Sequence, residues 1–371
     1  MKDSFKNLGI QPSFIKSIHE LGIKIPTEIQ KTAIPLLLNS TTDLVGQAQT
    51  GTGKTAAYGL PLLHKMDPSR HAIQGLILCP TRELSQQVAK QLFKYTKYSD
   101  KIFTEAVFGG AHIDGQIANL RRTTHIIVAT PGRLIDLVKR KAVDLSAVKI
   151  VILDEADEML SMGFKKELHQ ILKFVSSAES KWLFSATIPQ GIRQIIDEYL
   201  EEGAHKIAIN AKETVNKNIQ HQYVICGSHD KLQMLLYFLK NQKKQKGIIF
   251  CKTKQACQTL AKQLEAKNVA TGAIHGDLTQ KERDKVMRAF KNNASYVLVA
   301  TDIAARGIDI ENVSFVLHYN LPEKDEYYTH RSGRTARAGK TGVSLCFVES
   351  SEVKQIRFFE RKLGIAFHQI K

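Results

Sequence analysis

Ala48-Gln49-Thr50-Gly51-Thr52-Gly53-Lys54-Thr55 is the stretch of this chain best suited to chemistry. Gly51 and Gly53 let the backbone turn sharply enough for successive N–H groups to face one anion. A short apolar run at residues 43–46 precedes the segment, and a helical pattern begins near Lys54. The positive end of that helix dipole therefore points at the same anion. Lys54 is placed to reach the β- and γ-phosphates of a nucleoside triphosphate, and the Thr55 hydroxyl to ligate Mg²⁺. Ala48 stands where the general phosphate-loop pattern has its first glycine, and the competing reading is a plain glycine-rich turn between strand and helix.

A phosphate loop needs a second carboxylate for its metal. The apolar run at residues 149–153 leads directly into Asp154-Glu155-Ala156-Asp157. Asp154 falls at the C-terminal end of a buried strand, where α/β sheets place their ligands. It is expected to hold Mg²⁺ through water, because that ion keeps much of its hydration. Glu155 is then placed to orient and deprotonate an attacking water. The alternative is an acidic helix-start cluster, since Asp and Glu favour helix N-termini.

The elements that must position these residues are legible as alternating patterns. Short apolar, β-branched runs occur at 43–46, 75–79, 125–129, 149–153 and 181–185, and again at 222–226, 247–251, 270–274, 296–300, 313–317 and 343–347. Continuous apolar runs of this length suit strands buried on both faces of a parallel sheet. Helical patterns fall between them at 82–98, 165–175, 228–239, 254–267 and 280–290, and a last one at 352–363. This is β-α alternation twice over, hence two α/β domains. The joint is expected in the polar, aperiodic stretch at 209–218, and no repeat is readable at residue level.

The motifs, taken in order, resemble those of the DEAD-box ATP-dependent RNA helicases of superfamily 2 over essentially the whole chain. Residues 154–157 spell the tetrad that gives the family its name. The resemblance implies an α/β fold of two tandem RecA-like domains, each a mostly parallel sheet flanked by helices, with ATP and RNA bound across the cleft between them. It puts an ATP-binding helicase domain at 1–208, with an adenine-recognition Q motif at about 3–31, a linker at 209–218 and a C-terminal helicase domain at 219–371.

Roles follow for particular residues. Gly22-Ile23-Lys24-Ile25-Pro26-Thr27-Glu28-Ile29-Gln30, with Phe5 upstream, looks like the adenine site. There Gln30 would read the base edge and Phe5 would stack on the ring. A core phenylalanine and a surface glutamine are the plainer readings. Ala48, Gln49, Thr50, Gly51, Thr52, Gly53, Lys54 and Thr55 would hold ATP, and Thr55 and Asp154 its Mg²⁺. Thr81, Arg82, Gly109, Gly110, Thr130 and Arg133 resemble RNA-backbone contacts, although Thr81 and Thr130 also suit helix caps and the glycines a turn. Ser185 and Thr187 would link to Asp157 and couple nucleotide state to RNA work. In the second domain Thr301 and Arg306 resemble RNA contacts, Gly307 and Asp309 nucleotide contacts, and His275 has a structural or RNA-adjacent place.

Segment 330–337 supplies His330, Arg334 and Arg337. Three residues apart, the two arginines would share a helix face and reach the triphosphate as arginine fingers. Many family members have glycine where this chain has Ala336. The implied activity is RNA-stimulated ATP hydrolysis that drives local, non-processive strand separation or remodelling of RNA–protein complexes. An ATP-gated RNA clamp with incidental unwinding uses the same residues, and a DNA translocase would share the loop and the fingers.

The charge suggests a polyanionic partner, most often nucleic acid; a soluble basic protein whose charge merely prevents association is the plainer reading. The formal charge is +17, with 25 Lys and Arg against 21 Asp and Glu in residues 1–204 and 28 against 15 in residues 205–371. At 43% apolar and 24% charged the chain is globular rather than disordered. No run reaches bilayer length, so no membrane partner is expected. Cys79, Cys226, Cys251, Cys257 and Cys346 show no CxxC spacing, which suits a reducing cytoplasm and no zinc site.

Overall fold

The computed structural model describes residues 4–49, 51–209, 216–242, 245–293, 296–305, 313–336 and 340–370. The chain divides into two compact units, Met1–Ala211 and Lys212–Lys371. The first is built on β1 (Leu44–Gln47), β2 (Gly75–Leu78), β3 (Thr104–Val107), β4 (Ile126–Ala129), β5 (Ile150–Asp154), β6 (Ser180–Ser185) and β7 (His205–Ala208). They form one parallel sheet in the order β3-β4-β2-β5-β6-β1-β7. The second unit uses β8 (Ile219–Ile225), β9 (Gly247–Phe250), β10 (Thr271–Ile274), β11 (Val297–Ala300), β12 (Phe315–His318), β13 (Gly342–Val348) and β14 (His368–Gln369). Its parallel order is β10-β11-β9-β12-β13-β8-β14. Counted from the first strand of each unit, the two orders are identical. The chain is therefore a structural duplication that leaves no residue-level repeat.

All eleven apolar runs fall on strands, with ends shifted by a few residues. The strands without such a run, β3, β7 and β14, are all edge strands; the fourth edge, β10, carries the run at 270–274 and buries three of its four residues. Burial patterns explain the difference: β7 exposes three of four residues and β14 both, so they need no continuous apolar run. Each sheet is covered on both faces. In the first unit Leu60, Leu63, Val88 and Leu92 pack on one side and Leu134, Met159, Leu168 and Ile192 on the other. Because every strand in a unit runs the same way, all the strand-to-helix turns gather at one end of its sheet.

Helix Asp325–Ser332 ends inside segment 330–337, before Arg334. Gly333 caps it, and Thr335 then bridges to Val313, its hydroxyl donating to Val313 O at 2.6 Å. Ala336 follows with φ +57° and is buried. This left-handed backbone costs a Cβ-bearing residue on the order of 1 kcal/mol, which glycine avoids. Ala336→Gly is expected to keep activity and to raise stability by up to about 1 kcal/mol in urea denaturation; a clear loss of stability would show that the buried methyl outweighs the strain.

Candidate active site

The turn after β1 is shaped from below. Gly51 and Gly53 have φ of +85° and +90°, and Gly53 caps helix Lys54–His64. Gln30, 2% exposed, donates from Nε2 to Gly53 O at 3.0 Å and accepts the Thr27 N–H on Oε1 at 2.9 Å. A Cβ at Gly53 would sit 2.4 Å from Gln30 Nε2. Gln30 is thus a buried brace beneath the loop and closes the capping box of helix Glu28–Asn39. The plainer expectation of a surface glutamine does not hold. Phe5 is 1% exposed and packs in the core with Ile10, Phe14 and Ile18.

Within the loop, Thr52 Oγ1 donates to Gln49 O at 2.7 Å, and Ala48 N donates to Ser185 O at 3.0 Å. Lys54 is 6% exposed and its Nζ donates to Ala48 O at 2.9 Å. Thr55, at the first turn of the helix, is half-buried. Thr50 lies outside the described residues.

Asp154 ends β5 and is 3% exposed. Its Oδ2 accepts the Tyr58 hydroxyl at 2.8 Å, while Oδ1 is buried without a hydrogen-bond partner among the described residues. Burial pushes this carboxyl up to about 6; Lys54 pulls it down and Glu155 adds to the rise. A buried, unmatched carboxylate oxygen beside a phosphate loop fits a hydrated divalent cation. Among the described residues no group of three or more His, Cys, Asp or Glu is placed to hold a metal, so the fit is to an ion that shares its shell with phosphate and water. Glu155 has φ +53° and ψ +51° and caps helix Ala156–Ser161. The chain holds this strain at the residue proposed as base.

Asp157 meets both hydroxyl residues of the Ser185-Ala186-Thr187 turn. Its Oδ2 accepts the Thr187 N–H and hydroxyl, each at 2.8 Å. Ser185 Oγ accepts the Asp157 backbone N–H at 3.2 Å and donates to Thr187 O at 2.7 Å. Ser185 therefore reaches Asp157 through the main chain and Thr187 through the carboxylate.

Three turns gather at the same end of the sheet, after β2, β4 and β3. Thr81 caps helix Arg82–Tyr95, its hydroxyl accepting from Leu84 N at 3.3 Å. Arg82 Nε donates to Glu83 at 3.0 Å, and its guanidinium lies where a Cβ at Gly110 would fall, 2.7 Å from Nη1. Thr130 Oγ1 accepts from Gly109 N at 3.3 Å. Arg133 donates to Gln116 Oε1 at 2.9 Å and Ala111 O at 3.0 Å. Each residue has a structural task, and together they order one surface of hydroxyls, guanidiniums and glycine backbone.

In the second unit Thr301 and His275 directly follow β11 and β10, and both are buried. His275 Nε2 lies 2.9 Å from Gln258 Nε2, and its Nδ1 is buried without a hydrogen-bond partner. His330 and Arg334 line one small hollow with Phe250, Asp302 and Tyr327. Arg334 lies in the turn after the helix, so the expectation that it shares a helix face with Arg337 is corrected: the helix has already ended. Arg306, Gly307, Asp309 and Arg337 lie outside the described residues.

Sequence reasoning passed over Arg331. It is 4% exposed and holds Asp302 with a two-pronged pair at 2.5 and 2.7 Å, and Asn320 O at 2.9 Å. A buried chain continues from it through His318, Ser332 and Ser344 to Tyr328 and His221. Burial lowers both histidines, His221 to about 4, so the network is neutral apart from the Arg331–Asp302 pair. It fixes the helix carrying His330 against the turn that follows Thr301. The only signal for Arg331 was its place beside His330.

Comparison with known proteins settles the family. A model described as DEAD/DEAH box helicase matches residues 27–195, and one described as Helicase conserved C-terminal domain matches residues 230–339. The DEAD-box ATP-dependent RNA helicase CshA of Bacillus cereus is 43% identical over 358 residues, 96% of this chain and 68% of CshA. This chain belongs to the DEAD-box ATP-dependent RNA helicases. RhpA of Helicobacter pylori, another of the family, is 38% identical over 98% of this chain and 73% of its own length. Among solved structures, S. cerevisiae Dbp5 bound to RNA and ADP BeF3 gives a TM-score of 0.91 at 31% identity, covering 99% of this chain and 95% of that one. No helix among the described residues of this helicase is long and apolar enough to cross a membrane.

Thr187→Val is expected to remove one of the three hydrogen bonds on the Asp157 carboxylate, two from Thr187 and one from the Glu158 N–H, and to lower the stability of the first unit by about 1 kcal/mol, read as a fall in denaturant midpoint. An unchanged midpoint would mean that water replaces the hydroxyl at no cost.

Proposed function

We propose that this helicase hydrolyses Mg²⁺–ATP when RNA is bound and uses the cycle for local, non-processive separation of RNA strands or remodelling of RNA–protein complexes. The observation that carries the reading is the buried Asp154 Oδ1, left without a partner at the end of β5, with Lys54 on the helix beside it. Asp154 and Thr55 would hold the hydrated Mg²⁺, which when bound shields the triphosphate charge and lowers the cost of hydrolysis. Lys54 and the backbone N–H groups of residues 49–55 grip the phosphates. Glu155 orients the attacking water and takes its proton. Gln30, which also braces the loop through Gly53, is assigned to the adenine edge, and Phe5 to stacking on the base.

Thr81, Arg82, Gly110, Thr130, Arg133, Thr301 and Arg306 are assigned to the RNA backbone, which accounts for binding without base preference. The Asp157–Thr187 contact is assigned to coupling. Gly307, Asp309, His330, Arg334 and Arg337 complete the nucleotide chemistry from the second helicase domain, at 219–371, joined by 209–218 to the first at 1–208. Since neither domain carries both halves of the chemistry, ATP and RNA favour the same state of the protein and each raises affinity for the other. Five free, buried cysteines suit the cytoplasm.

The direct test is ATP turnover with and without single-stranded RNA; equal rates would sink the coupling. Glu155→Gln is expected to bind ATP and RNA but to lose about 10²-fold or more in turnover. Near-normal turnover would remove Glu155 as the base. For Arg334→Ala the expected loss is about 10³-fold in turnover with nucleotide affinity little changed; a defect confined to binding would remove it from the chemistry.

A further inference from the structure

Tyr58 has no part in the chemistry described so far, yet its hydroxyl lies at the centre of it. The residue is 0% exposed, on the same face of helix Lys54–His64 as Lys54 and one turn further on. Its ring packs on Phe184 at 5.2 Å, and Phe184 pairs with Asp154 across β5 and β6. β1 makes room for the Phe184 ring with glycine: a Cβ at Gly46 would lie 2.7 Å from Phe184. The wedge is apolar and fully packed, and phenylalanine would fill it without a polar atom to satisfy. The hydroxyl is nevertheless there, 2.8 Å from Asp154 Oδ2.

We propose that Tyr58 is a positioning residue for the metal site: by holding Oδ2 of Asp154 it leaves Oδ1 as the oxygen presented to the hydrated cation. The buried, unpartnered Oδ1 is the direct mark of this arrangement. With both oxygens free, the carboxylate could rotate about its last bond and offer either one. Mg²⁺ demands near-ideal octahedral geometry, so it is sensitive to such freedom, and a less exacting cation is less so. The proposal rests on Asp154 as the metal acid.

The test uses the full chain and Tyr58→Phe, a nearly volume-conserving change. Binding of a fluorescent N-methylanthraniloyl ADP is titrated at a series of Mg²⁺ concentrations and in EDTA, and repeated with Mn²⁺. The expected result is unchanged affinity in EDTA, a half-saturating Mg²⁺ concentration raised about fivefold, the worth of one net hydrogen bond, and a smaller gap with Mn²⁺. A Mg²⁺ dependence equal to wild type overturns the proposal, and so does an equal loss of affinity in EDTA, which marks Tyr58 as packing alone. Asp154→Asn run alongside separates the two layers. If it too leaves the Mg²⁺ dependence unchanged, the metal assignment of Asp154 fails; if it abolishes that dependence while Tyr58→Phe behaves as wild type, only the tyrosine's role is lost.

Discussion

A lysine and an aspartate are kept out of water in the first unit with fewer partners than their charges ask for. Among the described residues Lys54 has one carbonyl for its three donors, and Asp154 has one hydroxyl for its two oxygens. Burying charge in this way is costly unless something completes it. A triphosphate and its cation would do so, which gives the empty-handed pair its meaning. Much of the surrounding structure keeps the two groups there. Gln30 and Thr27 brace the loop from below, Phe184 and Tyr58 wall the acid, and the parallel sheet brings the ends of β1 and β5 to one rim.

The second unit shows what the same scaffold does without that constraint. Residue 226, after β8, stands where Ala48 stands after β1, and the equivalent bond recurs: Cys226 N donates to Val348 O at 2.9 Å. The segment that follows has one glycine where the first unit has two in left-handed conformation, and Lys231 turns to the Tyr319 carbonyl at 3.2 Å. The cover differs as well. Helix Lys54–His64 buries nine of eleven residues, with helix Glu28–Asn39 packed along it, whereas helix Lys231–Asn241 buries two. In place of a phosphate cradle the second unit carries the ion pair of buried Arg331 with partly exposed Asp302, with a neutral hydrogen-bond chain behind it that fixes the helix bearing His330.

The sequence by itself determined whatever is local. A phosphate loop is eight consecutive residues, the acidic tetrad follows a strand within one run, and buried parallel strands announce themselves as unbroken apolar stretches. Those features gave the fold class, the order of the chemistry and the family resemblance. The half-exposed edges β3, β7 and β14 were illegible because a strand open to solvent needs no apolar run. Only the tertiary structure decided what depends on groups distant in the chain. It brought Tyr58 to Asp154 and Arg331 to Asp302, and it turned Gln30 inward beneath Gly53. It ended the helix before Arg334, because Thr335 is claimed by Val313. Spacing along a chain states which side chains are near neighbours. Hydrogen bonds closed across a sheet, between residues far apart in sequence, are fixed only when the whole layer packs.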